Sequence, residues 1–170
     1  MGLIKGSQGI QKLLLGYPTV SDKYDVAPAT LGGSNTAYNG DIMIYTSVES
    51  VYESLADFSG TGNVTIAGVL LATNVLTPSV YPANTESVAT QPGTAFNLMK
   101  RGFVALACAD SSAPAPGSPV FWDGSNVTAD DDSGNNEQLY GWQFTGVWEE
   151  HGSDYLAEVH VPGDCEIEIK

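Results

Sequence analysis

The stretch TQPGTAFNLMKRGFVALACAD, residues 90–110, sets a Lys-Arg-Gly triplet between two apolar runs. "TAFNLM" and "FVALAC" have the residue types of β-strands, and three residues ending in glycine between two such runs predict a hairpin. Lys100 and Arg101 then stand at a solvated tip, with Gly102 in the left-handed conformation. The pair is conspicuous because the 170-residue chain has only 6 Lys and Arg against 20 Asp and Glu, a net charge of −14.

Outward from this stretch the pattern is again strand, turn, strand. "DIMIY" (41–45), "NVTIAGVLLAT" (63–73), "PVFWDG" (119–124), "QLYGWQFTGVWEE" (138–150), "YLAEVHV" (155–161) and "CEIEIK" (165–170) are the apolar runs. The last two alternate: Tyr155, Ala157, Val159 and Val161 share one face, and Cys165, Ile167 and Ile169 oppose Glu166, Glu168 and Lys170. That period of two marks half-buried antiparallel strands. Charged residues make up only 15% of the chain while Gly (19) and Pro (9) are plentiful, a composition that favours strands and turns over helices. The expectation is an all-β domain over residues 38–170, an antiparallel β-sandwich or small barrel of jelly-roll-like form. Its halves, 38–110 and 111–170, echo each other: "GDIMIY" with "GSPVFW", "IAGVLL" with "LYGWQF", and "PGTAFNLM" with "HGSDYLAEV".

Residues 1–37 read differently, as an extended N-terminal arm. Ile10, Leu13 and Leu14 have the spacing of one or two helical turns, and the turn-rich "GYPTVSDKYDVAPATLGGSN" that follows has no sustained period. The arm is a frayed terminus, a strand completing the sheet, or a segment that docks on a partner. Its first 25 residues carry three lysines against two aspartates, +1 net, which leaves −15 for the rest. Leu3, Ile4, Lys5, Ile10, Leu13 and Leu14 are therefore its candidate partner contacts, since unpartnered apolar side chains favour aggregation.

Several function classes are disfavoured. Nucleic-acid binding needs clustered cations, which an acidic chain lacks. No transmembrane run or signal-peptide pattern is read, so no membrane partner is expected, and Cys108 and Cys165 are expected as buried free thiols. His151 and His160 lie in a turn and on an outward strand face, and no nucleophile elbow, zinc-protease helix or phosphate loop is present. "ADDDSGNNEQ" (129–138) fails the calcium-loop offsets at Gly134 and Glu137. The chain is read as a non-enzyme with no cofactor and no metal. Trp142, Phe144 and Trp148 share a strand face, which serves as core, as an interface with another protein, or as a sugar platform.

Three of these features together resemble the tailed-phage head decoration proteins, or structural cement proteins. They are "IAGVLLAT" (66–73), the long loop 74–92, and "VATQPGTAFNLMKRGFVALACADSSAPAPGSPVFWD" (88–123). The matching elements are Pro92-Gly93, the strand with Asn97-Leu98-Met99, Lys100-Arg101-Gly102, the strand Phe103 to Cys108, Asp110, and Gly117 to Val120. The resemblance covers residues 40–123 and the C-terminal third more loosely. It implies a homo-oligomeric β-protein, made in the host cytoplasm, on the outer surface of the capsid, where it bridges subunits of the major coat protein. It also gives Lys100 and Arg101 a second role, as a cationic tip meeting an acidic coat surface. The rival expectation is a non-catalytic carbohydrate- or protein-binding β-sandwich module on a fibre or surface.

Overall fold

In the computed structural model, residues 13–19, 24–71 and 89–170 are described. Leu3, Ile4, Lys5 and Ile10 lie outside them. The described strands are β1 (Asp25–Leu31), β2 (Ala37–Tyr38), β3 (Ile42–Tyr45), β4 (Val51–Ser54), β5 (Gly62–Leu71) and β6 (Ala89–Thr90). They continue with β7 (Ala95–Cys108), β8 (Pro119–Trp122), β9 (Val127–Thr128), β10 (Glu137–His151), β11 (Asp154–Val161) and β12 (Cys165–Ile169). Two short 3-10 turns, Leu55–Asp57 and Asp132–Gly134, are the helical elements among the described residues.

The protein is all-β, and its main sheet closes into a small barrel through two rings that share β7. One ring runs β7-β1-β4-β3-β5 and back to β7; the other runs β7-β9-β8-β10-β11 and back to β7. The rings repeat one topology. β1 pairs parallel with β4 as β7 does with β9, and every other contact in both rings is antiparallel. The two parallel contacts depart from the wholly antiparallel sheet expected from sequence. Closure removes the strand edges within the two rings; β12 lies outside both and pairs with β5 alone.

Side chains sort by ring. A cluster of Ala29, Leu31, Met43, Tyr52, Ala67, Leu70, Phe96 and Leu98 draws on every strand of the first ring. A larger cluster takes Val104, Leu106 and Cys108 from β7 with residues of β8 to β11, among them Trp142 and Phe144, and adds Ile42, Ile44, Val64, Ile66 and Ile167. β5 and β7 serve both clusters. Phe96 and Leu98 face the smaller one, whereas Met99, Val104 and Leu106 face the larger.

The predicted hairpin at Lys100-Arg101-Gly102 is not formed; β7 runs through it as one 14-residue strand. Val26 pairs with Met99 but the preceding Asp25 pairs with Arg101, so Lys100 is one extra residue, a β-bulge. Gly102, at φ 138°, supplies the backbone freedom there. The same three residues suit a turn or a bulge, and the available partners decide. The strand before the bulge pairs with β1 and β5, and the strand after it pairs with β11.

Part of the expected arm also belongs to the sheet. Asp25–Leu31 is β1, antiparallel to β7, and upstream Pro18 bridges Val104 on the same side. Gly16 and Thr19 donate backbone hydrogen bonds to Ala105 and Phe103, and Tyr17 accepts one from Ala105. Leu13 and Leu14 are not helical.

Candidate docking surface

The bulge places Lys100 on the outside of the barrel, where β3 ends and the β11–β12 turn comes close. Lys100 Nζ donates to Tyr45 Oη at 3.1 Å and stands 5.5 Å from the centre of that ring. Tyr45 Oη in turn donates to Asp164 Oδ2 at 2.8 Å. The hydrogen bond to Tyr45 holds the Lys100 pKa above its ordinary value, with the Asp164 charge adding to it. Partial burial raises that of Tyr45, the Asp164 contact adds to the rise, and Lys100 opposes it. The cation is thus fixed in place rather than swept through solvent, which reduces the entropy lost when it meets a partner.

Arg101 is exposed and faces Asp25 across the β1–β7 pair. Asp25, Lys100, Arg101 and the turn Pro162-Gly163-Asp164 surround an open hollow of 500 Å³. Tyr45 is 36% exposed, Tyr24 beside Asp25 is 44% exposed, and Val48, three residues beyond Tyr45, is 58% exposed. Arginine and tyrosine are residue types enriched at protein interfaces, which makes this surface a candidate for docking. Sequence reasoning missed Tyr45 and Asp164. No local signal marks them, because only the sheet topology brings residues 45, 100 and 164 together.

Other candidates fall elsewhere. Leu13 is buried against Ala105 and Leu156 on the outer face of β7 and β11, so its side chain is spent within the subunit. Its amide donates to Glu149 Oε2 at 2.9 Å, and Glu149 lies 3.1 Å from His151. Leu14 is half-buried beside exposed Val147 in a cleft of 230 Å³. Trp142 and Phe144 are 1% exposed and sit in the larger core cluster, which removes them as a sugar platform. The register shift between Phe144 and Trp148 adds two residues to β10 and so leaves Trp148 on the same side, partly buried against that cluster. Trp148 stacks on Tyr155 at 5.4 Å, and its Nε1 donates to the Asp110 carbonyl at 3.1 Å.

Burial pushes Cys108 up to about 12 and Cys165 up to about 11, so neither thiol is a nucleophile near neutrality. The acidic loop spends side chains on its own turns: Asp130 and Asp131 accept from the amides of Asp132 and Ser133. Among the described residues no cluster could hold a metal ion.

Comparison with known families matches residues 12–161 to the one described as structural cement protein (E217 gp24/Pam3 gp6). The chain belongs to that family. It is a family of structural phage proteins. The small β-barrel is therefore that of a cement protein. Among solved structures, a chain of "The capsid of Myoviridae Phage XM1" superposes with a TM-score of 0.59 at 18% identity, over 90% of this chain and 94% of that one. At that identity the likeness is one of fold. Comparison with curated protein sequences gives no match.

Proposed function

We propose that this cement protein sits on the outer surface of a tailed-phage head and bridges neighbouring coat subunits, so that the shell resists expansion. The observation that carries the reading is the Lys100–Tyr45–Asp164 chain with Arg101 beside it. It is a fixed cationic and aromatic patch on a body whose net charge is otherwise strongly negative. Two adjacent cations on such a body select an acidic partner surface and orient the encounter. One patch of this size binds weakly. Repetition over a symmetric shell makes weak contacts cumulative, because each bound neighbour raises the effective concentration of the next.

The experiment is to add the purified protein to heads that lack it, then measure co-sedimentation and the temperature at which the heads open. Stoichiometric binding with a raised opening temperature is expected. A protein that stays in the supernatant at micromolar concentration, or binds without changing the opening temperature, overturns the cementing role.

A further inference from the structure

β10 turns one aromatic inward and another outward. Trp142 is buried in the core, whereas Tyr140, two residues before it, is 61% exposed. Gly141 between them has a φ of 82°, which breaks the alternation that would put both on one face. The Tyr140 amide donates to Cys165 Sγ, so β10 is tied to β12 where the Tyr140 side chain emerges. On the other side Gln138 pairs with Phe121 of β8, and Tyr140, two residues on, is the diagonal neighbour of Phe121. Over these residues opens a hollow of 520 Å³ that shares no lining residue with the Lys100 patch. Small-molecule sites are typically clefts of roughly 300–1,000 Å³.

We propose that this hollow binds a neutral sugar ring. A pyranose has flat C–H faces and a rim of hydroxyls, so it needs an apolar floor ringed by hydrogen-bonding groups. Tyr140 and half-buried Phe121 are that floor. Asn63, Gln138, Glu137, Glu166 and Glu168 line the rim, and none of them makes a side-chain hydrogen bond to another described residue. Their amides donate and accept, and their carboxylates accept from hydroxyls in charge-assisted bonds. The charge of the rim excludes the anionic alternatives. Its one cation, Lys170, is taken up by the Gly134 carbonyl, so three glutamates and Asp131 repel a sulfated or phosphorylated ligand. An organic cation is disfavoured by shape. Two rings side by side on one face of a sheet form a platform, not the enclosing walls that desolvate a cation against aromatic faces. The inference does not depend on coat binding.

The test uses the full ¹⁵N-labelled chain with neutral glycans as probes: an array first, then its best binder in solution, with maltohexaose, cellohexaose and chitohexaose alongside. Amide shifts and saturation transfer to the ligand are recorded for the natural sequence, Tyr140→Ala, Tyr140→Phe and Gln138→Ala. At least one neutral glycan should bind, with shifts centred on Tyr140, Gln138 and Asn63. Tyr140→Ala should weaken binding about tenfold or more, and Tyr140→Phe should restore most of it. The melting temperature should hardly change, because the side chain is exposed. Tyr140→Ala should also decorate heads as the natural protein does, so failure of this inference and failure of the cementing role read separately. Heparin and spermidine are the charged counter-probes and should not compete. No neutral glycan bound on the array, or binding unchanged by Tyr140→Ala, overturns the proposal. So does Tyr140-dependent binding of spermidine alone, which makes the hollow a cation site. Proton contacts from the Tyr140 ring to Ile4 or Ile10 overturn it too, because the chain's own residues 1–12 then fill the hollow.

Discussion

Gly68 of β5 lies against the backbone of Met99 in β7. A Cβ on Gly68 would stand 2.1 Å from the Met99 carbonyl oxygen. The bulge at Lys100 follows directly after Met99, and β3 shifts register opposite Gly68, between Met43 and Ile44. Both strands that serve the two core clusters therefore change the cluster they face at one level of the barrel. The close approach at Gly68 is what lets them do so.

Replacing Gly68 with alanine should accordingly be among the most damaging small changes available. Its φ of 148° disfavours any L side chain, and backbone cannot move aside as a flexible side chain can. The expected loss is about 3 kcal/mol or more by urea unfolding. Gly93→Ala is the comparison: its φ of 78° is also positive, but nothing lies within 4 Å of the added carbon. That variant should lose only about 1 kcal/mol. Equal losses at the two sites would mean that conformation, not the contact with Met99, sets the cost.

The tryptophans of β10 should separate by depth. Trp142→Ala empties a core position and should cost about 3–5 kcal/mol. Trp148→Phe keeps an aromatic ring against Tyr155 and loses the hydrogen bond to the Asp110 carbonyl, so about 1 kcal/mol is expected. Chemical denaturation of both variants reads the difference directly.

Both thiols should be silent in the native protein. With Cys108 at about 12 and Cys165 at about 11, chiefly through burial, almost no thiolate exists near neutral pH. Ellman's reagent should label neither in buffer and both in denaturant. Rapid native labelling of either would show that its strand opens locally far more often than a closed barrel allows.

Asp41 makes stability depend on pH in a defined direction. Burial raises its pKa above 3.8, although its carboxylate accepts from the Tyr38 amide at 2.8 Å and the Ser54 hydroxyl at 3.2 Å. A carboxyl whose folded pKa exceeds its unfolded one stabilises the fold fully below the unfolded value. That contribution is lost as pH rises through the folded value. Asp41→Asn keeps an oxygen acceptor for both donors and removes the titration. Relative to the natural protein it should therefore gain stability as pH climbs from about 4 to about 7. A difference between the two that does not change with pH would exclude Asp41 as a source of the dependence.

The six strands expected at 41–45, 63–73, 119–124, 138–150, 155–161 and 165–170 are β3, β5, β8, β10, β11 and β12, because each holds enough apolar or alternating residues to declare its faces. β1 was hidden: "DVAPATL" has a proline and small residues, and only its pairing with β7 on one side and β4 on the other makes it a strand. β4 and β9, at four and two residues, are too short to show a period. The echoed segments correspond in the structure to β3, β5 and β7 in one ring and β8, β10 and β11 in the other, each set paired antiparallel in the same order. Of the candidate patch, Lys100 and Arg101 stand out by rarity of charge, while Tyr45 and Asp164 depend on contacts more than 50 residues away in sequence.

Within the patch, Arg101 should matter more to coat docking than Lys100. Lys100 is already engaged by Tyr45 and, through it, by Asp164, so part of its interaction capacity is used inside the subunit. Arg101 is exposed and makes no ion pair among the described residues, and its planar fork suits a carboxylate on the partner. Arg101→Glu should weaken binding to undecorated heads by about tenfold or more and flatten its salt dependence. Lys100→Glu sets a carboxylate beside Asp164, so it should both weaken binding and loosen Tyr45. Tyr45→Phe removes the hydroxyl that holds Lys100 but leaves both charges, and should fall between these variants and the natural protein. All three positions are on the surface, so the melting temperature should stay nearly constant, which separates docking from folding. Should Arg101→Glu and Lys100→Glu both decorate heads at the natural protein's concentration and salt, the coat contact lies on another face of the barrel.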